Sequence, residues 1–243
     1  MMLVATVAAV SCAKNNQADG LVTYKAQCPG VEVKTYLQNG SDVVWAAGDA
    51  INVLTASNNE KYTLTTGASS TEGTFSGNPV TGDAYAVYPY DATATFASGV
   101  ITTTLKATQN AKADGFGNNI NLAVAKEDKG TFAFKNVCGL IKFQIKGDNI
   151  AKVIISGNND EYLAGKVNIS FNASGEPVYE VVDGSKTVIV QTYNGAVMTP
   201  GTYYAAVLPQ TFSKGITITC KPYAFKTDMV VKKVYAFNDL VKT

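Results

Sequence analysis

Few side chains in this sequence are equipped for bond-making chemistry. There is no histidine and no arginine, and all 20 basic residues are lysines. A nucleophilic triad needs a general base, most often histidine, so that class has no candidate. Zinc sites of the His-containing types are excluded for the same reason, and no Cys-x-x-Cys pair occurs. The segment "DGFGNN" (114–119) shares only its glycines with phosphate-binding loops. No helical pattern follows it to offer N-terminal N–H groups. Asp160 and Glu161 in "NNDEY" could hold calcium or work as a glycosidase pair, although such clusters are ordinarily solvated turns. The expectation is a non-enzyme with no catalytic residue, no metal and no cofactor.

Cys12 is the one residue whose surroundings point to a definite reaction. It ends the uncharged run "LVATVAAVSC" (3–12), which is followed at once by polar residues. The run is far shorter than the ~20 residues of a membrane-spanning helix and reads as the apolar core of an export signal. Ala9-Val10-Ser11-Cys12 looks like the lipobox of a bacterial lipoprotein, in which the cysteine thiol receives a diacylglycerol and becomes the new N-terminus. Ala9 stands where leucine is usual, and no basic segment precedes the run, which suggests a start at an internal methionine. The alternative is an ordinary secretory signal cut elsewhere, with Cys12 discarded. Two or three acyl chains would hold firmly, since each buried methylene contributes ~0.8 kcal/mol. Residues 1–12 are then signal and 13–30 a tether.

Three cysteines remain. Cys138 in "FKNVCGLIKF" and Cys220 in "ITITCKPYAF" sit in strand-like runs and read as small buried residues, as does Cys28. An exported protein permits disulfides, so a Cys138–Cys220 bridge stays open as the alternative. The net charge of +1 gives no reason to expect nucleic acid or an electrostatically bound membrane as a partner. With 46% hydrophobic residues the chain can bury a sizeable core, and its 16% charged residues lie below the ~25% of an average domain.

The elements that would carry any site are strands. "KVNISF" (166–171) puts Val167, Ile169 and Phe171 on one face and Lys166, Asn168 and Ser170 on the other. "IKFQIK" (141–146) and "GTYYAAVL" (201–208) alternate in the same way. Phe132, Phe134 and Cys138 hold the opposite parity to Ile141, Phe143 and Ile145, so a bulge or bend is expected near Gly139. Turn signals fall at 76–79, 81–83, 113–119, 156–160, 173–177, 182–185 and 199–201. Residues 107–130 read as a long connection with one short strand near Leu122–Val124. The chain therefore reads as all-β, with two antiparallel sandwiches, one spanning 31–130 and one spanning 131–243.

Four segments in order carry a family resemblance: "VVWAAGDAINVL" (43–54), "TFSGNPVTGDAYAVYPY" (74–90), "FAFKNVCGLIKFQI" (132–145) and "GTYYAAVLPQTFSKGITI" (201–218). With the lipobox ahead of them and Gln109 in the connection, they resemble the fimbrillin-like lipoproteins of Bacteroidetes, the subunits of type V fimbriae. Trp45, Gly48, Asp49, Pro89 and Pro209 are the matched fold markers. Gly48-Asp49 should make a tight turn, Trp45 should cover one end of the N-terminal core, and each proline should end a strand.

The resemblance implies two tandem transthyretin-like Greek-key sandwiches and export to the outer membrane and cell surface. It also implies assembly in which a protease removes the first strand and a neighbouring subunit fills the groove. The familiar maturation step cleaves after arginine. Here Lys25 or Lys34 could serve a lysine-tolerant protease, and Lys34 lies inside the expected first strand "VEVKTYL" (31–37), an awkward site. The donor-strand candidate is "MVVKKVYAF" (229–237), with Met229, Val231, Val234 and Ala236 as its apolar residues; the favoured alternative is the last strand of its own domain, since consecutive strands usually pair in place.

Partners would be other fimbrial subunits, a second copy, or a host glycan or protein receptor, with the membrane reached only through lipid. A glycan-binding surface lipoprotein is the second reading, and its sugar site would rest on tyrosines such as Tyr193 or Tyr223.

Overall fold

The fold is described from a computed structural model covering residues 20–29, 37–38, 42–115, 117–223 and 233–235. The lipobox with Cys12, Lys34 and the donor-strand residues Met229, Val231 and Ala236 lie outside the described residues. Among the described residues every regular element is a strand. The first seven are β1 (Val22–Gln27), β2 (Leu37–Gln38), β3 (Asp42–Val43), β4 (Ala50–Leu54), β5 (Asn59–Thr66), β6 (Glu72–Gly77) and β7 (Tyr85–Tyr88). Next come β8 (Thr95–Ala97), β9 (Val100–Leu105), β10 (Thr108–Asn110), β11 (Ala123–Asp128), β12 (Thr131–Ala133), β13 (Lys135–Asn136) and β14 (Gly139–Ile145). The chain continues through β15 (Ile150–Gly157), β16 (Ala164–Phe171), β17 (Pro177–Ser185), β18 (Thr187–Gln191), β19 (Gly201–Val207), β20 (Ile216–Pro222) and β21 (Lys233–Tyr235).

The N-terminal half closes on itself. Its strands run β12-β1-β6-β5-β4-β7-β11, and β11 pairs back to β12, so seven strands form a ring. This differs from the expected pair of stacked sheets. The closing element is β1, which lies in the segment expected to be a tether. Val22, Tyr24 and Ala26 point into the barrel, while β1 pairs with β6 on one side and, in parallel, with β12 on the other. Closure leaves the ring no free edge to shield from water.

Strand pairing also crosses the division expected at residue 130. β9 pairs with β16 and carries β8 at its other side, and β10 pairs with β18, whereas β12 belongs to the barrel. Thus the chain leaves the barrel after β7, lays three strands on the second half, and returns. The change of core falls before Gly139: Phe132 and Phe134 pack in the barrel, while Val137, Cys138 and Ile141 pack in the second core, and β14 runs from Gly139 to Ile145 against β19 without the expected bulge.

The two halves share a wall. In β4, Ile51 and Val53 face the barrel interior, and Leu54 faces the second core. In β7, Ala86 and Tyr88 face inward and Val87 outward; in β11, Ala123 and Ala125 face inward and Val124 outward. A sheet buried on both faces makes the two cores one cooperative body, because neither keeps its wall if the other unfolds.

The second half has a four-stranded sheet, β17-β16-β9-β8, a five-stranded sheet, β10-β18-β15-β20-β21, and a two-stranded sheet, β14-β19. Ile101, Val167 and Ile169 of the first, Val153, Val188 and Ile216 of the second, and Ile141, Tyr203 and Ala205 of the third meet in one core. Gln109 links the smaller sheets. Its carboxamide donates to the Ala206 carbonyl at 2.7 Å and accepts from the Ala206 N–H at 2.8 Å, as a neighbouring strand would. The turn expected at 182–185 lies inside β17. The register slips there between Val181 and Asp183, which makes Val182 the extra residue of a bulge.

Candidate functional site

The groups with the strongest chemical potential are absorbed into structure. The Cys138 thiol donates to Asn121 Oδ1 at 3.1 Å and accepts from the Leu122 N–H at 3.2 Å. Burial pushes its pKa up to about 12, so it stays a protonated thiol at neutral pH and a poor nucleophile. Cys138 and Cys220 are both unbridged thiols, so the Cys138–Cys220 bridge is absent. Asp160 pairs with Lys186 at 3.0 Å on the surface, while Glu161 turns its Oε2 to the Asn159 N–H at 2.8 Å. No group of three or more Cys, Asp or Glu arranged to hold a metal occurs among the described residues.

Two carboxylates, Asp49 buried and Asp91 part-buried, hold turns. Asp49 accepts the Ala46 N–H at 2.7 Å through Oδ2, and the Tyr88 hydroxyl at 3.1 Å through Oδ1. Its own N–H donates to Ala46 O at 3.0 Å, and Gly48 takes φ +86°, so this is the tight turn that a residue without Cβ permits. Burial raises the Asp49 pKa, and the two hydrogen bonds only partly offset it. Asp91 behaves oppositely. Burial pulls its pKa upward, but hydrogen bonds from the Thr93 hydroxyl and N–H, the Thr103 hydroxyl and the Thr104 N–H outweigh it and hold the carboxyl below its usual range. Asp91 lines a cleft of about 470 Å³ at the junction of barrel and second half, with Pro89, Tyr90, Leu105 and Asn119. Every oxygen of that carboxylate is engaged in the turn.

The remaining candidates are backbone edges and loop tips. Among the described residues, β17 pairs on one side only, with β16. Its nine residues leave Val178 and Val182 exposed at 45% and 53%. β14 is also an edge, but Lys142, Gln144 and Lys146 stand exposed along it, a pattern that discourages strand addition. Tyr162, exposed on one face, lies over Gly184 of β17, where a Cβ would strike its ring at 2.2 Å. Tyr193 is 92% exposed at the tip of the β18–β19 connection, and Tyr223 is half exposed just beyond β20.

The other residues singled out in the sequence are placed as follows. Trp45 is fully buried in the barrel, edge-on to Phe75, Tyr88 and Phe134, and its indole N–H donates to Ala26 O at 3.3 Å. Pro89 follows β7 directly. Pro209 follows Leu208 after β19, and its carbonyl accepts the Tyr179 hydroxyl. Lys25 projects to solvent from β1, but its backbone is paired with both Thr74 and Thr131. A protease could not draw that bond into an extended cleft while the barrel is closed. Val234 lies in β21, which pairs antiparallel with β20 of its own sheet. The signal that sequence reading missed was in β17, where a bulge and a glycine imitate a turn.

No protein-family model and no curated protein matches the chain. Two solved structures from Bacteroides resemble it at low identity. One is from Bacteroides uniformis, described as a candidate cell adhesion protein; it is 22% identical, covers 84% of this chain and 81% of its own, and aligns with a TM-score of 0.45. The other, from Bacteroides ovatus and described in the same words, is 17% identical, covers 88% and 87%, and has a TM-score of 0.48.

Proposed function

We propose that this chain is a cell-surface, adhesin-like lipoprotein of the fimbrillin type, held to the outer membrane by acylated Cys12, and that it is not an enzyme. It works through a strand edge and loop tips, with no reactive pocket. The observation that supports this most is β17: nine residues with one side unpaired among the described residues and Val178 and Val182 turned outward. An added strand would satisfy the open backbone groups and lie beside Val178. The bulge at Val182 restricts such pairing to the Pro177–Val181 half. The strand comes from a second copy or another fimbrial subunit. The segment 229–237 is the donor candidate within this reading, and the in-place pairing of Lys233–Tyr235 with β20 is what it would have to give up.

The test has two arms. Intact mass of the native protein should carry the acyl mass on Cys12. The double variant Val178→Lys/Val182→Lys should fold normally yet lose self-association or attachment of cells displaying it. Unchanged attachment would remove β17 from the reading, and a mature form without lipid would remove the anchor. A second reading, recognition of surface glycan, is favoured by one observation: Tyr193 holds a nearly whole aromatic ring in water.

A further inference from the structure

Independently of the strand edge, we propose that the cleft at the junction of barrel and second half is a binding site for small hydrophobic carboxylic acids. Its volume of about 470 Å³ suits a ligand of that kind. The back of the cleft is aliphatic. Leu105, Ile120 and Leu122 line it, each at most 4% exposed, and all three belong to the second core. Pro89 and Tyr90 supply one wall. An apolar body entering the cleft would leave water and meet these side chains.

The polar side chains of the lining are unequally satisfied: the carboxylate and carboxamide oxygens are hydrogen-bonded, and the nitrogen donors are open. Asp91 Oδ1 takes the Thr93 N–H at 2.9 Å and the Thr93 hydroxyl at 2.7 Å, and Oδ2 takes the Thr103 hydroxyl at 2.9 Å. Asn119 Oδ1 takes the Tyr88 hydroxyl at 3.3 Å, while its amide N–H groups have no partner among the described residues. Lys106 is exposed, and its ammonium makes no ion pair or hydrogen bond among the described residues. A carboxylate is the group that answers two open donors, one of them charged. The charge balance points the same way. Of the lining residues only Lys106 and Asp91 carry charge, and Lys61 brings a second ammonium 5.1 Å from the centre of the Tyr90 ring. Two ammonium groups against one hydrogen-bonded carboxylate favour an anion.

Both walls are fixed from behind. The Asn52 side chain, fully buried in β4, meets Asp91 as a neighbouring strand would: its Nδ2 donates to Asp91 O at 2.8 Å, and its Oδ1 accepts the Asp91 N–H at 2.8 Å. The Tyr90 N–H donates to Ala50 O at 3.0 Å, and Asn59 Nδ2 donates to Ala94 O at 2.8 Å. On the other side, Asn119 is tied to Tyr88, whose buried ring packs edge-on to Trp45 in the barrel. A cleft held open by the fold loses little freedom when a small molecule enters. A neutral sugar fits less well, since its hydroxyls would lie against Leu105, Ile120 and Leu122 without partners.

The experiment is calorimetric titration of the full chain with octanoate, phenylbutyrate and naphthoate, each beside its neutral primary amide, at low and high salt. At least one acid should bind, more weakly as salt rises, and its amide should bind about tenfold less tightly or not at all. Lys106→Gln should lower affinity for the acid about tenfold and remove the salt dependence. At an exposed position, it should keep the wild-type urea midpoint. Asn119→Gly deletes the amide donors and still allows the φ of +62°, and it should weaken binding about threefold. In amide NMR spectra, the signals that move most on binding should be those of Thr104–Lys106 and Asn119–Leu122. The site is overturned if no acid binds, if the amides bind as well as the acids, if Lys106→Gln binds as tightly as wild type, or if the moving signals lie elsewhere. The edge variant Val178→Lys/Val182→Lys should bind the acids normally. If no acid binds while that edge variant still loses attachment, this site fails and the adhesion reading stands. If the acids bind and displayed protein confers no attachment, the site stands and the adhesion reading fails.

Discussion

The barrel and the sheets behind it are built from the same kinds of residue and solve the strand-edge problem in opposite ways. The barrel abolishes its edges: seven strands close through the parallel β1–β12 pair and the short β11–β12 ladder. Its interior is aromatic, with Trp45, Tyr24, Tyr62, Phe75, Tyr88, Phe132 and Phe134 in one cluster. The second half leaves β14 and β17 paired on one side only among the described residues, and it carries Tyr193 and Tyr223 at one end. A closed ring offers no backbone edge to a further strand. Open sheets are suited to meeting a partner. The difference in edges follows from topology, because both regions draw on the same alternating strands.

The largest expected effect is on the closed side. Trp45→Ala removes the hub of three edge-on aromatic contacts and should cost about 3–5 kcal/mol in urea unfolding followed by far-ultraviolet circular dichroism. It also tests the shared wall. Cys138 lies in the second core, so its labelling by a thiol reagent should move to lower urea by the same amount as the dichroism. If Cys138 stays protected after the barrel has melted, the halves are independent and the comparison must be redrawn as two separate domains.

Next comes the link inside the open half. Gln109→Ala leaves the N–H and carbonyl of Ala206 buried without their partner, at a cost of about 2–4 kcal/mol. Gln109→Glu can still accept but cannot donate, so it should remain well below wild type in the same measurement. A loss under about 0.5 kcal/mol for the alanine variant, the level of a surface substitution, would mean that β14 and β19 do not depend on this bridge.

The two sides also differ in how far they could be read from sequence. Strands with clean alternation were legible: Val167 and Ile169, Ile141 and Ile145, and Tyr203, Ala205 and Val207 all face the core. The Gly48-Asp49 turn and the burial of Trp45 follow from residue type alone. Barrel closure was not legible, since it joins Lys25–Gln27 to Thr131–Ala133 far along the chain, and register between distant strands leaves no local pattern. Nor did the shared wall stand out. "AINVL" and "YAVY" send alternate residues to two different cores, so a strand buried on both faces reads only as a short apolar run. Tyr193 and Tyr223 could be named from the sequence, but their exposure needed the structure. The bulge at Val182 needed the register.

A smaller effect lies at the junction. The Asp91 carboxyl is held below its ordinary pKa, so its contribution to stability is full above about pH 4 and lost as pH falls through the lowered folded value. Asp91→Asn should therefore destabilise the protein by about 1 kcal/mol at neutral pH. It should also flatten the acid limb of a plot of urea midpoint against pH. A variant whose midpoint falls with acid as steeply as wild type would show that the limb belongs to other carboxylates.

The smallest effect on stability is expected where the effect on function is greatest. Val178 and Val182 already stand largely in water, so lysine at both positions takes little from the core. The urea midpoint should move by no more than the equivalent of about 0.5 kcal/mol. Two charges on the open side of β17 would have to be desolvated for any incoming strand, so association through that edge should disappear, as measured by light scattering and by attachment of displaying cells. Lysines at Leu140 and Phe143, half-buried on the β14 edge, form the control. They should damage folding, because both side chains pack against the second core. A loss of association without a loss of stability at β17, set against the reverse at β14, would distinguish an edge left open for a partner from one that is merely uncovered.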